Sequence, residues 1–141
     1  MPPNLSVPFD HRWEPRGIVI TYRGELGLDM VLASHAAIAA DPRFDALRFA
    51  IVDTVLVDKV ALIESDIAQI NAFLVGPSIT NPDILILVVA RHPEALRLLD
   101  RYAQFPDRAY DLQTRSSMEA ARQVIATSPS FRPRRNCARS R

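Results

Sequence analysis

The feature that most constrains this chain is a run of seven apolar residues, Ile84 to Ala90, which has no polar side. A strand with one face in water alternates apolar and polar side chains, whereas a strand that is covered on both faces is apolar throughout. Pro82-Asp83 precedes the run and Arg91-His92-Pro93 follows it, and residues of these types commonly bound a strand. The run therefore predicts a central strand of a sheet whose two faces are both covered.

The rest of the chain alternates between strand and helix patterns. β-Branched and apolar runs predict strands, and apolar residues three and four apart predict helices. The predicted strands are a hairpin of Phe9–Glu14 with Ile18–Tyr22, a central strand Arg48–Val52 that ends at Asp53, the strand Ile84–Ala90, and a short edge strand Arg108–Gln113. The predicted helices are Leu28–Ala40, Ile63–Leu74 with an end at Gly76-Pro77, one from Pro93 to about Phe105, and one from Ser116 to Thr127. Val55–Ile63 is apolar but interrupted by charges, which favours a loop.

This order of elements predicts an α/β fold, with a small mixed β-sheet of about five strands flanked by about four helices and an N-terminal β-hairpin. The most apolar strands and the inner helix stripes supply the predicted core, which is Ile51, Val52, Ile84, Ile86, Val88, Leu32, Ile67, Leu74, Leu96 and Leu99. A length of 141 residues is that of one domain. We expect an extended or disordered N-terminus over 1–8, a single α/β domain over 9–127, and a mobile Arg-rich tail over 128–141.

Charge is unevenly distributed along the chain. Five of its 17 basic residues and none of its acidic residues lie after Thr127, so residues 1–127 carry a net charge of −4. A mildly acidic folded part argues against nucleic-acid binding by that domain. The single cysteine, Cys137, cannot form an internal disulfide, the amino terminus lacks the pattern of a secretory signal, and no apolar run approaches the ~20 residues of a membrane-spanning helix. We expect a cytoplasmic protein without a membrane span.

The sequence contains no recognisable catalytic apparatus. Its four glycines do not form a phosphate-binding loop, and its three histidines lack the spacing of metal ligands. We therefore predict no catalytic residues, no metal site and no cofactor. His35 lies on the apolar stripe of the first helix, which leaves two interpretations: a buried, hydrogen-bonded core histidine, or a residue that lines a groove.

A cluster of acidic residues follows the first central strand. Asp53, Asp58, Glu64 and Asp66 lie around the loop in which α/β domains often bind ligands. They can equally be structural, because a carboxylate at the start of a helix caps free backbone amides and interacts favourably with the helix dipole. The sequence leaves both interpretations open.

Residues from about Trp13 to Ile125 resemble the SpoIIAA-like, or STAS-like, domains, which are relatives of anti-sigma-factor antagonists. The resemblance is carried by Gly17-Ile18-Val19-Ile20 leading to Arg23-Gly24-Glu25-Leu26, Ala39-Ala40-Asp41-Pro42-Arg43-Phe44, Ile51-Val52-Asp53, Tyr110-Asp111-Leu112 and Met118-Glu119-Ala120-Ala121. It implies a small mixed sheet flanked by helices, and a regulatory or ligand-binding role without chemistry of its own.

In antagonist members of that family, an Asp-Ser pair begins the helix after the central strand, and phosphorylation of its serine releases a partner. The counterpart here is Glu64-Ser65-Asp66, so the resemblance implies a partner-binding or phospho-regulatory loop of Glu64, Ser65 and Asp66 with Asp53. Two flanking carboxylates would oppose a phosphate, which favours instead a constant acidic surface for a partner. Helix capping by Ser65 and Asp66 is the third interpretation.

Three functions are consistent with these features. The first is a non-enzymatic regulatory or protein-interaction module of STAS-like form, the second a carrier or sensor of a small apolar ligand held between sheet and helices, and the third an enzyme of unknown type. An interaction module needs an exposed apolar patch, whereas a carrier needs an apolar cavity of roughly 300 Å³ or more. A homodimer is also predicted, from the apolar fraction of 48% and from an edge strand near Tyr110.

Overall fold

The computed structural model describes residues 9–128 of the chain. The predicted N-terminal segment 1–8 lies outside the described residues, as do residues 129–141 of the predicted tail, with Cys137 and the five arginines. No helix within residues 9–128 is both long enough and apolar enough to cross a membrane.

Within residues 9–128 the chain folds into five strands and four α-helices. The strands are β1 (Phe9–Glu14), β2 (Gly17–Leu26), β3 (Phe49–Val60), β4 (Leu85–Val89) and β5 (Leu112–Arg115). The helices are α1 (Leu28–Ala40), α2 (Glu64–Thr80), α3 (Pro93–Ala103) and α4 (Met118–Thr127). A short 3₁₀ turn, Pro42–Ala46, lies between α1 and β3. The order of elements is the predicted one.

The five strands form one mixed sheet in the order β1-β2-β3-β4-β5. β1 runs antiparallel to β2, and every other neighbouring pair is parallel. The β1–β2 hairpin turns at Pro15 and Arg16, where Arg16 has a φ of 67°. A methyl group at Gly17 would overlap the ring of Phe49, so glycine lets β2 begin close beside β3. The predicted fold class, a mixed sheet with an N-terminal hairpin, is confirmed.

The two faces of the sheet are covered by different helices, because side chains alternate along each strand. On one face Val19, Ile51 and Leu87 pack with Ala121 of α4. On the other face the intervening strand residues pack against α1, α2 and α3. The helices α1, α2 and α3 each connect two neighbouring parallel strands. Because the strands follow one another in one direction across the sheet, right-handed connections place these three helices on the same face. The helix α4 follows the last strand and packs on the other face. The predicted strand with two covered faces is confirmed.

β3 is longer than predicted. It continues past Asp53 to Val60, over the segment predicted as a loop. The added part, from Leu56 onward, pairs with β2 alone, since the pairing with β4 ends at Asp53. The register against β2 shifts just after Asp53, whose carboxylate accepts a hydrogen bond from the backbone N–H of Val55 at 3.0 Å. The prediction of a loop was wrong, because this segment becomes a strand by pairing with β2. That pairing joins distant parts of the chain, and a local sequence pattern does not show it.

α2 continues through Gly76-Pro77 to Thr80 instead of ending at the glycine. Proline removes one backbone donor and usually ends a helix. Here the next residue, Asn81, is buried, and its side-chain amide donates to two carbonyl oxygens in and after the 3₁₀ turn, at 2.9 and 3.0 Å. Its own carbonyl oxygen accepts a hydrogen bond from the Tyr110 hydroxyl at 2.8 Å. These contacts hold the last turn of α2 in place beyond the proline.

The buried face of α3 differs from the predicted one. Ala95, Leu98 and Tyr102 face the core, whereas Leu96 is 41% exposed, so its place in the predicted core was wrong. Apolar residues occupy both possible faces of this helix, and packing selects the face on which the Tyr102 hydroxyl donates to the Tyr110 carbonyl oxygen at 2.7 Å. The other nine predicted core residues are buried or half-buried.

The last strand begins later than predicted. It covers Leu112–Arg115 rather than Arg108–Gln113, and Tyr110 is a buried residue before it. The edge of the sheet therefore does not lie at Tyr110, because that side chain is drawn into the core by its hydrogen bond to Asn81. A homodimer stays a prediction, with β1 and β5 as the two edges of the sheet.

We expect Leu87→Ala to lower the free energy of unfolding by about 2–5 kcal/mol, because the Leu87 side chain is fully buried. Leu96→Ala is the matched control, since it removes the same group from an exposed site and should cost less than about 1 kcal/mol. Chemical denaturation of both variants measures the difference. An equal cost for the two substitutions would contradict the observed register of α3.

Candidate functional site

The predicted loop residues lie at the amino-terminal end of α2, which follows the carboxyl end of β3. Glu64, Ser65 and Asp66 are the first three residues of the helix. The carboxyl ends of parallel strands form the edge at which α/β domains most often bind ligands. The triplet therefore stands at the edge of the sheet where a binding site is expected.

Asp66 caps α2. Its carboxylate accepts a hydrogen bond from the backbone N–H of Ile63 at 2.9 Å, and its own N–H donates to the Ile63 carbonyl oxygen at 2.9 Å. The side-chain contact is the part of a capping box that the third helical residue supplies. The predicted capping role of Asp66 is confirmed.

Glu64 is held by α3. Its carboxylate accepts hydrogen bonds from the guanidinium groups of Arg97 at 3.2 Å and Arg101 at 3.3 Å. All three side chains are about half exposed, so these ion pairs contribute little to stability. They place two cations beside the Glu64 carboxylate at the start of α2.

Ser65 is exposed, and its side chain forms no hydrogen bond within residues 9–128. The predicted cap by Ser65 was therefore wrong, because Asp66 supplies the capping contact. Asp53 is bonded to Val55 in β3, and no hydrogen bond or ion pair in the described part of the chain joins it to the triplet. The fold thus brings Glu64, Ser65 and Asp66 together without connecting Asp53 to them.

A second candidate site is an apolar cavity of about 140 Å³ between the sheet and helices α1, α2 and α3. A smaller cavity of about 50 Å³ lies beside it, and four residues line both: His35, Val52, Leu74 and Ile86. These residues form the wall between the two spaces. The predicted groove-lining residue, His35, is therefore a polar group at an otherwise apolar wall.

Tyr22 also lines the larger cavity, and it is not among the residues that the sequence predicts for a site. It is 2% exposed, and its hydroxyl is the one buried side-chain polar atom of residues 9–128 without a hydrogen-bond partner. Burial raises the pKa of Tyr22 to about 12, and the neighbouring Ser34 hydroxyl offsets this shift only in part. The sequence does indicate that Tyr22 is buried, because Ile18, Ile20 and Tyr22 alternate along β2 and therefore face the same side of the sheet.

A hydrogen bond joins β1 to α1 near Tyr22. Nε2 of His11 and the buried Oγ of Ser34 are 2.7 Å apart, and the ring of His11 stacks on Phe9 with their centroids 5.0 Å apart. Burial lowers the pKa of His11. The contact between His11 and Ser34 therefore ties β1 to α1 beside the hydroxyl of Tyr22.

The pKa of His35 is set by its surroundings. Burial, and to a smaller extent the charge of His11, lowers the pKa of His35 to about 4, so its imidazole is neutral at pH 7. Between residues 9 and 128 no group of three or more His, Cys, Asp or Glu side chains could hold a metal ion.

Neither a protein-family model nor a curated protein matches the sequence. Among solved structures, the chain is similar to the anti-sigma factor antagonist SpoIIAA in its unphosphorylated form. The similarity covers 85% of this chain and 99% of SpoIIAA, with a TM-score of 0.57 and 12% sequence identity. This chain has the SpoIIAA-like fold. The resemblance to STAS-like domains and the α/β architecture that it implied are both confirmed at the level of the fold.

The capping contact predicts different effects on stability for substitutions of Asp66 and of Ser65. We expect Asp66→Ala to lower the free energy of unfolding by about 0.5–1 kcal/mol, because the N–H of Ile63 loses its acceptor. Ser65→Ala should change it by less than about 0.5 kcal/mol, since the Ser65 side chain is exposed. Thermal and urea unfolding of both variants provide the measurement. The reverse order of the two effects would assign the cap to Ser65.

Stability should also fall in mildly acidic solution because of His35. In the unfolded chain the imidazole has a pKa of about 6.5, whereas in the folded chain the pKa is about 4. The contribution of His35 to the free energy of unfolding is therefore complete above about pH 7. It decreases as the pH falls, because the imidazole is then protonated in the unfolded chain but not in the folded chain. Between pH 7 and pH 4.5 the free energy of unfolding should drop by on the order of 2 kcal/mol from this group.

The His35→Leu variant isolates the effect, because His11 and the carboxylates remain in both chains. Its free energy of unfolding should depend less on pH than that of the parent chain over the same interval. Urea denaturation at pH 4.5, 5.5, 6.5 and 7.5 measures both curves. Parallel curves would mean that His35 is not responsible.

Proposed function

We propose that this chain is a non-enzymatic regulatory module that binds a protein partner through the amino-terminal end of α2. The observation that carries the proposal is an exposed apolar side chain beside the triplet: Ile63 is 61% exposed and directly precedes Glu64, Ser65 and Asp66. The fold supports it, because the similar protein SpoIIAA is an anti-sigma factor antagonist.

The end of β3, which leads into the start of α2, also exposes an apolar side chain. Leu56 is 57% exposed, and from this residue onward β3 pairs with β2 on one side only within the described chain. Unpaired backbone groups at a strand edge can bind a partner chain, and apolar side chains next to them add buried area. Single exposed apolar residues are common on proteins. The combination of an open strand edge, Ile63 and the helix start is what supports a binding surface.

The acidic residues favour a constant surface over a phosphate switch. The Glu64 carboxylate pairs with two arginines, and the Asp66 carboxylate accepts the capping hydrogen bond, so both carboxylates are part of this surface without any modification. A phosphate on Ser65 would add a charge of roughly −2 between these two carboxylates. We therefore assign recognition to Ile63 and Glu64, with Ser65 as a neutral part of the surface.

A tagged full-length chain, incubated with extract of its source cells, tests this surface. Ile63→Ser should reduce the retained partner at least about tenfold, as expected when a central apolar contact is lost. Ser116→Glu is the matched control, because Ser116 is an exposed serine just before another helix, α4. Partner retention that is unchanged in both Ile63→Ser and Glu64→Gln would overturn the proposed surface.

The Ser65→Glu variant separates the two forms of the proposal. If the surface is constant, Ser65→Glu and Ser116→Glu should retain the same amount of partner. If Ser65→Glu alone loses the partner, the serine acts as a switch and the constant surface is wrong.

Carriage of a small apolar ligand is the second candidate function, and the cavity beneath α1, α2 and α3 favours it. Its volume of about 140 Å³ is below the roughly 300 Å³ expected of a ligand carrier. Such a cavity suits a molecule of the size of benzene. A carrier function would therefore be limited to very small ligands.

A further inference from the structure

The outer edge of β1 is the longer of the two edges of the sheet. β1 has six residues and pairs with β2 in an unbroken register, whereas β5 has four residues. Within residues 9–128 no other strand follows β1 in the sheet. Unpaired backbone groups at an edge bind other strands, and proteins often prevent this with a very short strand, a bulge or a proline. The strand β1 has none of these three features.

The hairpin determines which backbone groups lie at this edge. Glu14 and Gly17 close its two-residue turn, so their backbone groups form hydrogen bonds with each other across the hairpin. The direction of these groups alternates along a strand. The N–H and C=O groups of Phe9, His11 and Trp13 therefore point away from β2, where they can pair with a further strand.

The side chains of β1 are in a self-complementary order. Phe9, His11 and Trp13 face the layer of α1, and the charged side chains of Asp10 and Arg12 are exposed on the opposite face. In an antiparallel pair of β1 strands centred on His11, Asp10 of each copy lies opposite Arg12 of the other, and Phe9 likewise lies opposite Trp13. Opposite charges and aromatic pairs directly across two antiparallel strands are favourable. The charges of this edge therefore favour a second copy of the chain in one register.

We propose that the chain forms a homodimer in which two β1 strands pair antiparallel about His11 and join the two sheets into one. The residues that face each other through their backbones in this register are Phe9, His11 and Trp13, whose N–H and C=O groups point outward. Burial lowers the pKa of His11, so the two opposed imidazoles are predominantly uncharged at neutral pH. The interface is separate from the start of α2, because β2 lies between β1 and β3.

Sedimentation equilibrium of the full-length chain measures the dimer, and we expect a Kd in the micromolar range because one pair of strands buries little surface. Arg12→Asp places like charges opposite each other twice in the symmetric dimer and should raise the Kd at least about tenfold. Asp10→Arg/Arg12→Asp restores opposite charges, so its Kd should return to within about threefold of the parent value. Arg115→Asp is the matched control, because it reverses a charge in β5 at the other edge and should leave the Kd unchanged. Circular dichroism checks that each variant is folded.

Disulfide cross-linking tests the register. In a chain that carries Cys137→Ser, Asp10→Cys and Arg12→Cys are prepared separately and then mixed. Positions 10 and 12 of the two copies directly oppose each other, with Cα atoms about 4.5 Å apart, which is within the range of a disulfide. Each position lies diagonally from its own copy, about 7–8 Å away. The mixture should therefore form a covalent dimer at least about fivefold faster than either variant alone.

A Kd that Arg12→Asp raises and the exchanged variant restores, together with faster cross-linking in the mixture, supports the dimer through β1. A monomer at every concentration overturns it. A dimer that responds only to Arg115→Asp uses the edge at β5, and a dimer that responds to neither reversal uses another surface, so both results overturn the proposal. A Kd that stays raised in the exchanged variant, with no faster cross-linking in the mixture, overturns the register about His11.

Discussion

Burial of the central strands on both faces is the constraint on which the rest of this structure depends. Ile51 in β3 and Leu87 and Val89 in β4 are fully buried, and their neighbours in sequence face the opposite layer. A strand of this kind is stable only if helices cover each side of the sheet. The helices α1, α2 and α3, which connect the parallel strands, form one layer, and α4 forms the other. The placement of every helix follows from that requirement.

The two layers are not equally filled. Against α4 the packing is close, with Ala121 completely buried between the helix and the strands. On the other side three helices meet above the sheet, and they leave the two cavities that His35 separates. Polar side chains in that layer include His11, Tyr22, Ser34 and His35 from β1, β2 and α1, and Thr54 and Tyr102 from β3 and α3. The candidate ligand site is therefore a consequence of how this helical layer closes.

The extension of β3 links the cavity to the candidate partner surface. Beyond Asp53 the strand separates from β4, and Thr54 bonds to the last residue of β4. The same segment then supplies Val60 and Leu62 to the cavity and leads into Ile63 at the surface. A ligand in the cavity would thus contact residues that immediately precede the start of α2. Both candidate functions depend on the geometry of one continuous stretch of chain.

The sequence by itself determined the features that depend on local pattern. Apolar periodicity fixed the hairpin, α1 and the doubly buried strand at Ile84 to Ala90, and residue type placed Glu64, Ser65 and Asp66 at a helix start. Tertiary structure alone decided the length of β3, because its last residues are stabilised by pairing with β2. It also carried α2 past Pro77 through the contacts of Asn81, and it chose which face of α3 is buried. The unpaired hydroxyl of Tyr22 and the cavity beside it were beyond prediction for the same physical reason: both result from distances among residues far apart in the chain, which no local pattern encodes.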